Sequence, residues 1–264
     1  PPENNLSSIY MVDDRNDQVH IAARIPSNIS SNNNQKINNP EINDGIANIE
    51  LEHGDYYSLI ISINEYQDEA ITNLSDPIND GHRIQKILTE NYSFDKEKSN
   101  FLTNPTRDEI FKAFYELRTK IKPRDNLLIF YAGHGHWDKN TNVGYLLPSN
   151  ANKDYRSAWI SVEDITNEIK QINCRNSIII SDACFSGSLL KTRDITDNFS
   201  IAIEELYKTP ARRAITSGGL ETVQDNSVFL EYLSKQLINN TKNYLSAEEL
   251  YFKFKAAVIN NSNN

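Results

Sequence analysis

Residues 126–135 read NLLIFYAGHG. The first seven are apolar apart from Asn126, show no alternation, and are too few for a buried helix. Such a run fits a β-strand covered on both faces. A second run of this kind, SIIISDACFSG at residues 177–187, ends in Cys184 among small residues. Two more follow the pattern, YSLIISI at 57–63 and RAITS at 213–217, with weaker strands expected at 100–102 and 144–148. Between them lie helical stretches. Residues 79–89 carry Ile84, Ile87 and Leu88 on one face, and residues 104–121 start at a Thr106 cap and carry Ile110, Phe114 and Leu117 on one stripe. Residues 162–172, 227–238 and 246–258 complete the helices. Strands alternating with helices predict an α/β fold, a mostly parallel central sheet flanked by helices in three layers.

The rest of the 264-residue chain bounds the function classes. Two cysteines exclude a disulfide-stapled scaffold. No apolar run approaches the length that crosses a bilayer, so no membrane partner is expected. The net charge of −9 argues against broad phosphate-backbone contact, so no nucleic-acid partner is expected either. The chain opens Pro1-Pro2 and its single methionine is Met11, which suggests an excised or processed form and leaves room for a regulatory domain outside it. Residues 27–43 (SNISSNNNQKINNPEIN) hold almost nothing large and apolar, and read as a linker. A short strand is expected around 18–25. The division expected is a flexible Asn/Ser-rich arm over 1–50 and one catalytic domain over 55–262.

Two strand ends carry the chemistry. In open α/β sheets, sites form beyond the carboxyl ends of the strands. His134 stands at one such end and Cys184 at another, each in a glycine-containing turn. Asp182 breaks the apolar run just before Cys184, where a purely structural residue would be apolar. Cys174, by contrast, reads as a core residue. A thiol with a nearby imidazole suits nucleophilic catalysis. His134 and His136 together would suit a metal hydrolase, although that pair lacks further ligands and leaves Cys184 without a role.

YAGHG at 131–135 followed by DACFSG at 182–187 resembles the caspase-like cysteine peptidases, on their metacaspase and orthocaspase side. The histidine about 50 residues ahead of the cysteine is that family's spacing. IISINEY at 60–66 and LSDPIND at 74–80 resemble its first strand and the acidic turn after it. The resemblance implies a caspase-like three-layer sandwich with Cys184 as nucleophile and His134 as base. It implies the amide of Gly135 in the oxyanion hole and protein or peptide substrates. Aspartate at 182, where classical caspases have glutamine, implies cleavage after Arg or Lys. Alternation along the strand puts residues 182 and 184 on one side. A cation about 4 Å from a carboxylate there gains about 4 kcal/mol at an effective dielectric near 20. Asp80 matches a second acidic residue of that pocket, and paired carboxylates suit the arginine fork. The alternative for Asp80 is that it caps its helix.

Main-chain groups of Ser217 and Gly218 are expected to pair with the extended substrate, and Asp225 to line the same pocket. Lys191, Arg193, Lys208, Arg212 and Arg213 are candidate self-cleavage sites, because the family's processed linker falls there. No cofactor is expected. Some metacaspases need calcium, but no regular ligand spacing supports it here. The reading from a different class is a catalytically silent, caspase-like interaction module that binds partners by strand addition.

Overall fold

The computed structural model describes residues 8–12, 20–23, 54–138, 140–141, 143–183, 212–218, 228–241, 244–246, 249–250 and 252–253. Its main sheet has six strands. In chain order these are β1 (Ser8–Val12), β3 (Tyr56–Ser62), β4 (Phe94–Thr103), β5 (Asn126–Ala132), β9 (Asn176–Asp182) and β10 (Arg212–Gly218). They lie in the order β1-β10-β9-β5-β3-β4. Every pairing is parallel except that of β1 with β10. β5 lies between β3 and β9 and all seven of its residues are buried, which is why its sequence shows no alternation.

Helices α1 (Pro77–Asn91) and α4 (Val228–Ile238) cover one face, packing Ile84, Leu88, Leu230 and Leu233 on Ile60, Leu128, Phe130 and Ile180. On the other face α2 (Arg107–Lys120) and α3 (Val162–Gln171) pack Phe114, Leu117 and Ile169 on Leu59, Ile61, Ile129 and Ile179. This is the three-layer α/β sandwich expected from the sequence. Helix α2 starts in a capping box: the Thr106 side chain accepts from the Glu109 N–H, and the Glu109 carboxylate accepts from the Thr106 N–H.

Smaller strands complete the fold. β6 (Gly135–Asp138), β7 (Val143–Leu146) and β8 (Ile160–Ser161) form an antiparallel sheet. β2 (His20–Ala23), inside the strand expected at 18–25, pairs with β11 (Tyr244–Ser246). Three differences from the expected elements stand out. β4 runs for ten residues rather than three. As an edge strand it needs one ladder only and leaves Asp95, Lys96 and Glu97 in solvent. The Gly-His-Gly-His stretch, read as a turn, enters β6 at Gly135. β1, inside the segment read as an arm, takes the outer place beside β10. No described helix is long and apolar enough to cross a membrane.

Candidate active site

Three strands end in one row. Ser62 of β3 pairs in register with Ala132 of β5, and Ala132 with Asp182 of β9. Registered residues of parallel neighbours share a face, and this row continues the face that carries Ile60, Phe130 and Ile180 under α1. The helix comes very close here. A Cβ on Gly81 would stand 2.2 Å from Ser62 Oγ and 2.9 Å from the Phe101 ring. Glycine is the residue that lets α1 lie this low, and its neighbour Asp80 is thereby set against the row.

Burial, then the charge of Asp182, then that of Asp76, push the Asp80 carboxyl up to about 7, with Arg83 opposing. Two acidic side chains from separate elements therefore feel each other. Asp80 does not cap α1. The helix begins after Asp76, whose side chain makes no capping bond, and the Ile78 N–H is accepted by Asn64 Oδ1 at 2.9 Å.

Asn64 orders the whole turn between β3 and α1. Its Nδ2 donates to the Ser75 carbonyl at 2.8 Å and its own carbonyl accepts from Leu74 N–H at 2.8 Å. Asn64 and Glu65 in turn donate their N–H groups to Asn104 Oδ1, at 2.8 and 3.1 Å. Asn104 sits in the left-handed region with φ 49°, which asparagine tolerates better than most residues. The ordered turn presents the carbonyl of Thr72 to His134.

His134 follows the end of β5, after Gly133. Its Nε2 lies 2.7 Å from the Thr72 carbonyl. A carbonyl oxygen only accepts, so Nε2 carries the proton and Nδ1 carries the lone pair of the neutral ring. Burial lowers the imidazole's pKa and the Thr72 carbonyl partly offsets this, so the ring is neutral at pH 7. The His134 N–H donates to Tyr66 Oη at 2.7 Å. Its carbonyl accepts from Tyr131 Oη at 2.8 Å and from Leu147 N–H at 3.0 Å.

His136 is differently placed. Its ring lies 4.7 Å from that of Trp159, and the Arg156 guanidinium lies 5.6 Å over the same indole. Arg156 is itself paired with the buried Asp138. Among the described residues no group of three or more His, Cys, Asp or Glu could hold a metal ion.

Gly135 opens β6 opposite Leu146. Ser217 and Gly218 end β10, in register with Ile9 and Ser8 of β1. The outer edge of β10 expected to take substrate is thus paired with the chain's own β1. Arg212 and Arg213 lie within β10, in register with Ser177 and Ile178. Cys184, Asp225, Lys191, Arg193 and Lys208 lie outside the described residues. Cys174 is half-buried and packs against the core rather than within it. Sequence reasoning assigns no role to Thr72, Tyr66 or Asn64. Tyr66 and Asn64 stood in a quoted motif, but Thr72 acts through its main chain and leaves no side-chain signal.

A parallel sheet with an oriented histidine at one strand end and an acidic strand end beside it defines a caspase-type α/β domain. Residues 56–263 match the family model for the caspase domain, Peptidase C14, and the chain belongs to that family. It is 28% identical over 169 residues to metacaspase-1 of Cryptococcus neoformans, covering 57% of this chain and 36% of that protein. It is 30% identical to metacaspase-1A of Neurospora crassa, covering 50% and 32%, and 29% identical to metacaspase-7 of Arabidopsis thaliana, covering 43% and 30%. The matches span about a third of these relatives' length. A solved structure of a Geobacter sulfurreducens protein shares the fold at TM-score 0.54 and 14% identity, covering 78% of this chain and 88% of that one.

Proposed function

We propose that this chain is a cysteine endopeptidase that cleaves peptide bonds after Arg or Lys, with Cys184 as nucleophile and His134 as base. The observation that carries the reading is the 2.7 Å contact of His134 Nε2 with the Thr72 carbonyl, which selects one tautomer. With Nε2 committed to Thr72, the ring offers Nδ1 as proton acceptor at the mouth of the sheet. The Cys184 thiol gives its proton to Nδ1, and the thiolate attacks the scissile carbonyl. The amides of Gly135 and Cys184 stabilise the developing oxyanion. The imidazolium then protonates the leaving amine, and the neutral ring takes a proton from water for deacylation. Thr72 serves throughout as acceptor for Nε2–H and needs no titratable orienting residue.

Specificity is assigned to Asp182 and Asp80. The charge of Asp182 raises the proton affinity of Asp80, and a cation brought to the pair gains from both carboxylates because it relieves that repulsion. An anionic P1 side chain meets the opposite field. The Arg-aminomethylcoumarin and Asp-aminomethylcoumarin peptides of one sequence provide the test. Cleavage of the first alone, abolished by Cys184→Ala and by His134→Ala, is expected. Equal cleavage of both overturns the specificity, and turnover surviving Cys184→Ala overturns the mechanism.

A further inference from the structure

Two buried phenols hold the main chain of His134. Its N–H donates to Tyr66 Oη at 2.7 Å. Its carbonyl accepts from Tyr131 Oη at 2.8 Å, and the same hydroxyl lies 3.2 Å from the Leu147 carbonyl. Both side chains are buried, at 7% and 1% exposure. The Tyr66 ring also lies against the imidazole, with centroids 4.9 Å apart at 39°. Gly133 leaves room for both hydroxyls: a Cβ there would stand 3.0 Å from Tyr131 Oη and 3.1 Å from Tyr66 Oη.

We propose that Tyr66, with Tyr131 on the other side of residue 134, is the positioning residue for His134, fixing the imidazole so that Nδ1 keeps one direction through both halves of the reaction. The inference rests on His134 being the base. Rotation about the bonds next to residue 134 would change the direction of Nδ1, and Thr72 alone is a single pivot for Nε2. The two phenols fix the main chain on both sides of that pivot, and Tyr66 supplies the surface against which the imidazole rests. The two tyrosines are not equivalent. The His134 carbonyl keeps Leu147 N–H at 3.0 Å when Tyr131 is changed, whereas Tyr66 supplies the only acceptor shown for the His134 N–H. The effects are therefore ranked.

Tyr66→Phe, Tyr131→Phe and wild type are compared on an Arg-P1 peptide, with melting temperatures recorded for each. Tyr66→Phe is expected to lower kcat about 10- to 100-fold with KM within about twofold, because the substrate contacts are untouched while the His134 N–H loses its acceptor. Tyr131→Phe is expected to lose less than Tyr66→Phe. Tyr66→Leu, which also removes the ring, should fall below Tyr66→Phe. A folded Tyr66→Phe with wild-type kcat, or a loss carried by KM alone, overturns the inference. So does a Tyr131→Phe loss equal to or larger than that of Tyr66→Phe. If Tyr66→Phe fails to fold, Gly133→Ala, which presses on both phenols, must lower kcat at unchanged KM for the inference to stand. His134→Ala is the control on the underlying reading: turnover surviving it defeats the assignment of the base, whatever the tyrosines do.

Discussion

The carboxyl of Asp80 holds its proton up to about pH 7 because it is buried beside Asp182. An unfolded aspartate releases its proton near pH 4. Between these values the folded chain binds more protons than the unfolded one, so stability falls as pH rises through that window. Above pH 7 the loss is complete. Asp80→Asn removes it, and should leave stability unchanged near pH 4 but raise it on the order of 1 kcal/mol at pH 8, after allowance for partial exposure. That corresponds to a gain of roughly 2–4 °C in Tm. The same variant should raise KM for an Arg-P1 peptide about tenfold or more. Thermal melts at pH 4.5 and 8 check the first part, and an equal gain at both would contradict it.

Ionisation of Asp80 also bears on substrate. A cationic P1 group favours the charged carboxyl, so binding should release a fraction of a proton near pH 7. KM for the Arg-P1 peptide should fall as pH rises from 6 to 8 in the wild type, and that dependence should flatten in Asp80→Asn. A parallel dependence in both chains would place the titration elsewhere.

Gly81→Ala should be costly for a reason unrelated to helix propensity, which favours alanine. The added methyl meets Ser62 Oγ at 2.2 Å and Phe101 at 2.9 Å, so α1 must lift from the sheet. A loss of about 1–3 kcal/mol is expected, with reduced Arg-P1 cleavage because Asp80 moves with the helix. Denaturant unfolding reads the first effect, and a more stable Gly81→Ala would show that α1 does not lie this low.

β1 occupies the edge of β10 at Ser217 and Gly218. If that edge receives substrate by strand addition, a chain starting at residue 14 should bind short peptides with a KM several-fold lower. Kinetics of the shortened and full chains with the same Arg-P1 peptide give the comparison. An unchanged KM would assign the substrate backbone to another edge.

Self-processing, where it occurs, should fall at Lys191, Arg193 or Lys208. Arg212 and Arg213 lie inside β10, laddered to Ser177 and Ile178 of β9, and a peptide bond held in a sheet is not free to enter a second molecule's active site. Intact-mass spectra of wild type and Cys184→Ala are the measurement. Cleavage after Arg212 or Arg213 would contradict it, and identical masses would remove self-processing altogether.

The parts of this fold that were legible are those where one residue's surroundings decide its type. β5 and β9 are covered on both faces, so Leu127–Phe130 and Ile178–Ile180 had to be apolar, and α2 begins at a capping pair visible as Thr106 and Glu109. β6 was not legible: the Gly-His-Gly-His stretch has the composition of a turn, and only its antiparallel partner β7 makes it a strand. β1 was hidden for a different reason: SIYMV at 8–12 is strand-prone in itself, but it is only five residues long and stands among polar neighbours in a segment read as one arm. At the candidate site, His134 and Asp182 could be picked out because polar side chains ended apolar runs. Asp80 came from resemblance, and its proximity to Asp182 needed the close seat of Gly81. Thr72 could not be found at all, because a main-chain carbonyl is the same for every residue type.

Asn64 ties together two properties that enzymes often vary separately. Its side chain accepts from the first turn of α1, which carries Asp80, and donates to Ser75 in the turn that offers Thr72 to His134. One amide thus stands behind both the choice of substrate and the readiness of the base. Loss of that amide, by substitution or by slow deamidation to a carboxylate that can no longer donate to Ser75, would degrade selectivity and turnover together. A damaged molecule would fall silent rather than become an indiscriminate peptidase.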